Sequence, residues 1–392
     1  MTRRYLVRHS VWIGALIVLA LVAAPVRPVH AGGGVTTVRS EMLRLNFGDF
    51  QSRAELTYPA GAAGGSPTVI LIPGSSPEDM NADISARPGA PPLSHIFLDI
   101  ARYLTPRGVA VLRYNKHYVT SATQVDYQSY YGKLTLQVML RDAEQVLHTA
   151  ETNAHIDHRR IFLYGWSEGS TVAAALAVHH PEIAGLIVQG PVAYSWRDTF
   201  QYQITEVGLP YLRRFAPSGR VTNRTLAQAE AGGGGLVATS VLFYLADPRQ
   251  TTGPLAIGPL AINPFLDTNH DGAIDIDTEF LPRLNAILDV YFGPRGPYAI
   301  YSPSRALPPL VAQAPRVRAP VLILQGGNDA NVPPRGARHL DVALAANPDH
   351  TLVLYPGLGH TLGLAASPID DNFRPIAPAP LASLTAWLAR HR

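Results

Sequence analysis

Apolar and polar positions along this chain fall into short runs that alternate with longer stretches of helical spacing. Residues 35–58 alternate as strands do, for example in Ala54-Glu55-Leu56-Thr57-Tyr58. A glycine-rich turn spans Pro59 to Pro67. Thr68 to Ile72 is then a short, mostly β-branched run ending in Pro73-Gly74, the pattern of a buried strand entering a tight loop. Leu93 to Leu104 has helical spacing, and Val109 to Tyr114 reads as a strand opened by Gly108. Leu134 to Thr152 predicts a long amphipathic helix with Arg141 and Glu144 on its polar side. The strand 160–164, the alanine-rich helix 168–179 and the strand 184–189 follow. Two late strands are expected at 321–325 and 351–355, and a closing helix at 381–390.

Strand, helix, strand, helix in this order predicts an α/β fold, a mostly parallel sheet with helices on both faces. The order breaks between residues 191 and 315. That stretch has helical patches at 201–215, 236–246 and 279–292, interrupted by prolines and by Gly232 to Gly235. It reads as an inserted, mainly helical cap. The core is then residues 32–190 and 316–392.

The formal charge is +3, but Arg3, Arg4, Arg8 and Arg27 lie in the first 31 residues, which contain no acid. The remaining residues carry 28 basic and 29 acidic side chains. No basic stripe is present, so no nucleic-acid partner is expected. Residues 1–31 have the layout of a signal peptide: a positive start, an uncharged apolar run from Val11 to Ala24, and Val29-His30-Ala31 as a cleavage site. Thr2-Arg3-Arg4-Tyr5-Leu6 also resembles a twin-arginine signal. A retained anchor is the other reading, although the run of 14 residues is shorter than the roughly 20 that a spanning helix needs. The expected product is secreted or periplasmic, without a stable membrane anchor after cleavage. The chain has no cysteine, which excludes disulfides, a lipidated cysteine and a cysteine nucleophile.

The chemistry centres on Gly165-Trp166-Ser167-Glu168-Gly169, a G-x-S-x-G pentapeptide between an expected strand and an expected helix. A serine on such a turn projects its hydroxyl away from the sheet. Glycines on either side remove side chains that would clash, and the helix N-terminus offers free N–H groups to an oxyanion. The segment resembles the nucleophile elbow of α/β-hydrolases. The resemblance implies the order Ser, Asp or Glu, His, with the last two on loops after late strands. Gln325-Gly326-Gly327-Asn328-Asp329-Ala330-Asn331-Val332-Pro333 is similar to the family's acid loop, which implies that Asp329 orients the base. Tyr355-Pro356-Gly357-Leu358-Gly359-His360 follows the last strand, where the family carries its base, and His360 stands out there among 14 histidines.

Ile72-Pro73-Gly74-Ser75-Ser76-Pro77-Glu78-Asp79 occupies the place of the family's oxyanion loop. The resemblance implies the backbone N–H groups of Ser75 and Glu168 as the donor pair. This loop, with Gly108-Val109-Ala110-Val111-Leu112-Arg113-Tyr114-Asn115-Lys116, resembles a group of bacterial esterases and serine aminopeptidase-like hydrolases. Ser76 stands where that group has glycine, and Asn115 where it has aspartate. The resemblance covers about residues 65–190 and 318–391 and leaves the cap uncovered.

A second motif lies in the cap. Asp267, Asn269, Asp271 and Asp275 are spaced as in an EF-hand loop, with Gly272 at the turn and Ala273 lending its carbonyl. Thr278 holds the position of the closing glutamate, and Asp277 and Glu279 flank it, either able to substitute with a shifted backbone. The expectation for 267–279 is a structural calcium ion, with no cofactor for catalysis. A solvated acidic turn is the alternative.

The expected activity is hydrolysis of a small-molecule carboxylic ester through an acyl-enzyme. A peptidase or amidase of the same fold is the first alternative, because the triad serves both. It requires a pocket acid for a substrate amine, with Glu168 and the cap acids as candidates. The other alternative, a non-catalytic binding protein, leaves an intact Ser, His and Asp set without a purpose. Cap aromatics Tyr194, Trp196, Phe200, Tyr202, Tyr291 and Phe292 are candidates for an acyl site or for the cap's own core.

Overall fold

The apolar run before Pro73 becomes a strand, Ser66–Ile72, buried along its whole length. Its side chains divide by parity. Ile70 and Ile72 enter one hydrophobic core, while Val69 and Leu71 enter the core on the opposite face. A continuous apolar run with this two-sided burial is what the centre of a parallel sheet requires. The computed structural model describes residues 37–392 apart from 63, 86–89, 250–259, 303–304 and 392. The leader at 1–31 therefore lies outside the described residues. Thr36–Arg392 forms one compact unit.

Eight strands make the central sheet: β1 (Val38–Asn46), β2 (Gln51–Pro59), β3 (Ser66–Ile72), β4 (Ala110–Tyr114), β5 (Ile156–Trp166), β6 (Gly185–Gln189), β7 (Val321–Gly326) and β8 (His350–Tyr355). Their spatial order is β1-β2-β4-β3-β5-β6-β7-β8. Strand β2 pairs antiparallel with both β1 and β4. Every other pairing is parallel. The chain leaves β3 to form β4 on one side and returns to form β5 on the other. The crevice beyond the C-terminal ends of β3 and β5 is thus the topological switch point, where open α/β sheets bind ligands.

The helices flanking the sheet are α1 (Ile96–Leu104), α2 (Tyr127–Lys133), α3 (Leu136–Glu151) and α4 (Gly169–His179). Helix α1 starts three residues later than its spacing predicts, because residues 92–95 pair as a short strand with residues 83–85. Helix α3 begins where the Thr135 side chain accepts from the N–H of Val138. Between β6 and β7 the chain forms α5 (Trp196–Tyr202), α6 (Leu209–Leu212), α7 (Asn223–Ala231), α8 (Leu236–Leu245), α9 (Leu284–Tyr291) and α10 (Leu310–Gln313). A π-helical stretch, Gln203–Gly208, joins α5 to α6. Residues of α6 to α9 share a hydrophobic core of their own, which also takes in Ala330 from the loop after β7. Tyr202 Oη donates to the Asp329 carbonyl at 2.6 Å and Gln203 Nε2 to the Asn331 carbonyl at 2.8 Å, so the insertion sits directly on the loop that carries the expected acid. Helices α11 (Arg335–Ala343) and α12 (Pro378–His391) complete the unit. No helix among the described residues is long and apolar enough to cross a membrane.

Candidate active site

Strand β5 ends at Trp166 and α4 begins at Gly169, so Ser167 occupies the two-residue turn between them. Its φ is +53°, a left-handed conformation that a non-glycine residue adopts at a cost of about 1–3 kcal/mol. The turn is this tight because the flanking glycines allow it. A Cβ on Gly165 would lie 2.4 Å from the Gly169 carbonyl oxygen, and one on Gly169 would lie 2.3 Å from the Ile72 carbonyl oxygen. The Ser167 N–H donates to the Gln189 carbonyl at 2.9 Å, tying the turn to β6.

Asp329 and His360 come from loops after β7 and β8. His360 Nδ1 is 2.9 Å from Asp329 Oδ2. Asp329 is fully buried, and its carboxylate accepts three further hydrogen bonds: from Gln325 Nε2 at 2.9 Å, from Asn331 N at 2.8 Å and from Val332 N at 2.9 Å. A carboxylate so surrounded by donors has one orientation. It fixes the proton on Nδ1 and leaves Nε2 as the basic nitrogen. Burial opposes the charged imidazole most strongly. Asp329, Asp371 and Glu78 outweigh it, and the pKa of His360 lies above its ordinary value.

Sequence reasoning missed Asp371. Its Oδ2 accepts from His360 N at 2.8 Å and from Ala330 N at 3.1 Å, clamping the histidine loop to the loop of Asp329. Burial and the neighbouring Asp329 raise its pKa. No local motif marks this residue, because its role comes from contacts with two distant loops.

Ser167 and His360 line one cavity of about 430 Å³. Ser75 and Ser76 of the expected oxyanion loop line it too. Of the six cap aromatics, Trp196, Phe200 and Tyr291 reach the cavity. Tyr194 Oη bonds His339, Tyr202 holds the Asp329 carbonyl, and Phe292 packs edge-on to Phe200 at 5.4 Å. Further rings that sequence spacing did not indicate complete the wall, among them Tyr244, Tyr298 and Tyr301. No lysine or arginine among the described residues lines the cavity. Glu78 is its one carboxyl among the described residues, and burial, opposed by nearby Lys116, pushes that group up to about 7. Of the acids expected to meet a substrate amine, neither Glu168 nor any described acid of the cap lines the cavity; Glu168 is fully buried, with its carboxylate against Lys116 Nζ at 3.2 Å.

The family described as serine aminopeptidase, S33, has a model that matches residues 88–231 and 298–364, more than half of the chain. The chain belongs to this family. The match to the serine aminopeptidase S33 family includes the serine turn, the acid loop and His360, and extends into the insertion as far as α7. The chain is similar to esterase EstD of Thermotoga maritima, with 28% identity over 151 residues. That similarity spans 38% of this chain and 32% of the esterase. Two solved structures share the α/β-hydrolase fold. Proline iminopeptidase of Mycobacterium smegmatis is 18% identical with a TM-score of 0.50, covering 90% of this chain and 98% of that one. The α/β hydrolase GrgF of Penicillium sp. sh18 is 16% identical with a TM-score of 0.50, covering 90% and 99%. The fold and the hydrolase class of this S33 family member therefore agree with the resemblance in its motifs.

The loop of residues 267–279 lies apart from this cavity. Asp267 Oδ1 accepts from Asp271 N at 3.1 Å and its Oδ2 from Gly272 N at 3.0 Å. Asn269 Nδ2 donates to Asp271 Oδ2 at 3.1 Å, and Arg220 pairs with that same oxygen at 2.9 Å. Asp275 accepts from Asp277 N and Thr278 N and starts a π-helical turn, Ile276–Phe280. This wider turn carries Glu279 back over the loop, where its carboxylate accepts from Thr268 N at 2.8 Å and Asp275 N at 2.9 Å. Among the described residues no three acidic or histidine side chains converge to hold a metal ion. The oxygen donors, with the Ala273 carbonyl, have the hard character that calcium takes. Their carboxylates are turned onto backbone N–H groups and Arg220.

Proposed function

We propose that this protein is an exported serine hydrolase that cleaves carboxylic esters with uncharged, apolar or aromatic groups. The observation that carries the reading is the Asp329–His360 pair at 2.9 Å, with His360 and Ser167 lining the same aromatic cavity. Ser167 attacks the ester carbonyl while His360 Nε2 takes its proton. Asp329 stabilises the resulting imidazolium. The N–H groups of Ser75 and Glu168 donate to the oxyanion of the tetrahedral intermediate. His360 returns the proton to the leaving alcohol, and water repeats the sequence on the acyl-enzyme. A cavity wall of rings, with no basic side chain among the described residues, favours neutral substrates over anionic ones.

Glu78 favours a second reading, cleavage of an amide or peptide bearing a free amine, because a cavity carboxyl can pair with an ammonium group. One screen separates the two: p-nitrophenyl acyl esters against aminoacyl anilides. Turnover of the esters with inert anilides is expected. The reverse result gives the peptidase reading its place.

Residues 1–31 are proposed to direct export, with a mature N-terminus near Gly32 that Edman sequencing of the extracytoplasmic protein tests. For the loop 267–279 we propose a structural calcium ion on the chemistry of Asp267, Asn269, Asp271, Ala273, Asp275 and Glu279. No catalytic step passes through it.

A further inference from the structure

Lys116 follows β4, and its ammonium group is buried although it takes no part in the proton transfers described above. Its Nζ donates to the Gly74 carbonyl and reaches the Ser76 carbonyl at 3.3 Å, Tyr130 Oη at 3.0 Å and Glu168 Oε1 at 3.2 Å. Tyr130 Oη in turn donates to the Ser75 carbonyl at 2.7 Å. Three consecutive carbonyls, those of Gly74, Ser75 and Ser76, are thus drawn into one buried nest built around a single cation.

The consequence follows from peptide geometry. In a trans peptide the C=O and the following N–H point in opposite directions. Holding the Gly74 carbonyl inward therefore turns the Ser75 N–H outward, and holding the Ser75 carbonyl turns the Ser76 N–H outward. Both residues line the cavity with Ser167. The Gly74 N–H is already taken by Glu78 Oε2 at 2.9 Å, so Ser75 is the first donor of the loop left for a ligand. On its other side Lys116 holds the side chain of Glu168, the residue whose backbone N–H is the second expected donor.

We propose that Lys116 is the positioning residue of the oxyanion site, holding the loop of Gly74 to Ser76 so that the Ser75 N–H faces the reacting carbonyl, and tying that loop to Glu168. This rests on the serine-hydrolase reading. Lys116 touches no reacting atom and acts through the peptide groups that it orients. A purely structural ion pair would change stability and leave the turnover of folded protein alone. A positioning role changes how well developing negative charge is met.

The test compares K116M, K116M/E168Q, which removes the carboxylate stranded by the first change, and Y130F, which keeps the ring and deletes the bond to Ser75. Each variant is checked for folding by circular dichroism. kcat and KM are measured on a p-nitrophenyl ester, and inhibition by a trifluoromethyl ketone, which forms an oxyanion on the serine, is compared with binding of the matching methyl ketone. K116M/E168Q is expected to lose about 10²-fold to 10³-fold in kcat, the range for a lost oxyanion donor, with KM within about threefold. Trifluoromethyl ketone affinity falls in step while methyl ketone binding holds. Y130F is expected to lose about tenfold in kcat with unchanged KM, the range for one hydrogen bond. Folded K116M/E168Q with near wild-type kcat, a loss confined to KM, or a Y130F enzyme indistinguishable from wild type overturns the assignment. A wild type inactive on every ester and anilide, or a fully active S167A, overturns the hydrolase reading itself and this inference with it.

Discussion

His360 and Asp371 are joined backbone to side chain: the N–H of the histidine donates to the aspartate Oδ2 at 2.8 Å, and the same oxygen receives the N–H of Ala330, the neighbour of Asp329. One carboxylate thus ties together the two loops that carry His360 and Asp329. The imidazole of the same histidine is held by Asp329 Oδ2 at 2.9 Å. The relationship makes the ionisation of His360 depend on a residue outside the Ser, His and Asp set.

That dependence gives a pH prediction. In the proposed mechanism His360 acts as a base only when neutral, so activity is expected to fall as pH drops through the His360 pKa. This value is raised, and the midpoint is expected above the ordinary imidazole value of about 6.5. Asp371 contributes to the rise through its charge. Asp371→Asn keeps an acceptor for the two N–H groups and removes the charge, so the midpoint of the kcat/KM profile moves down. His360→Ala removes the limb together with most of the activity. An activity flat down to about pH 4 in the wild type would rule out an imidazole base.

Ser167→Ala is expected to lose on the order of 10⁴-fold to 10⁶-fold in turnover while remaining folded. The substitution removes the hydroxyl and relieves nothing else, since alanine carries the same Cβ into the same positive φ. A fluorophosphonate probe labels the wild type and leaves this variant blank. More than a tenth of wild-type activity in the variant would mean that another group is the nucleophile.

A second histidine answers to pH through stability. His117 is buried between Asp142, at 2.9 Å from Nδ1, and Asp49, at 3.1 Å from Nε2. Burial disfavours its charge, but hydrogen bonds and the charges of the two aspartates prevail and raise its pKa. A raised histidine pKa contributes stability that is fully present below the unfolded value and lost as pH rises through the folded one. His117→Gln should therefore cost about 1.5–3 kcal/mol near pH 6, the range for hydrogen bonds to charged groups, and clearly less near pH 9. Denaturant titrations at the two pH values decide it. An equal cost at both means that the imidazole is held neutral.

Calcium binding to the loop at 267–279 is tested by melting. An ion that binds only the folded state adds about 2.7 kcal/mol when it is 100-fold above its dissociation constant. Chelator is then expected to lower the melting temperature, calcium to restore it, and magnesium to restore it poorly because it demands a smaller octahedral cage. Asp267→Ala with Asp271→Ala makes the protein indifferent to chelator. Superimposable curves for the wild type in calcium and in chelator would leave the loop as one held by its own N–H bonds and by Arg220.

The serine turn was legible in the sequence because everything it needs is local. A buried strand, two glycines and a helix start lie within a few residues of Ser167, and backbone sterics act over that range. The parallel sheet was legible for the same reason, since periodicity reports which faces are buried. Asp329 and His360 were found through motifs that hold their loops. The helix Asn223–Ala231 was not seen, because its sequence is polar and its few buried positions, Thr225, Leu226 and Ala229, find their apolar partners only within the folded insertion. The contacts of Asp371, Lys116, Tyr130 and Glu78 were decided by tertiary structure alone, although Glu78 and Lys116 lie in segments whose resemblance was already visible. Lys116 and the Gly74 carbonyl are 42 positions apart, and no repeat or spacing in the chain relates them. A buried charge is stable only with partners around it, and the sheet's crossing order, not local pattern, brought those partners to one crevice.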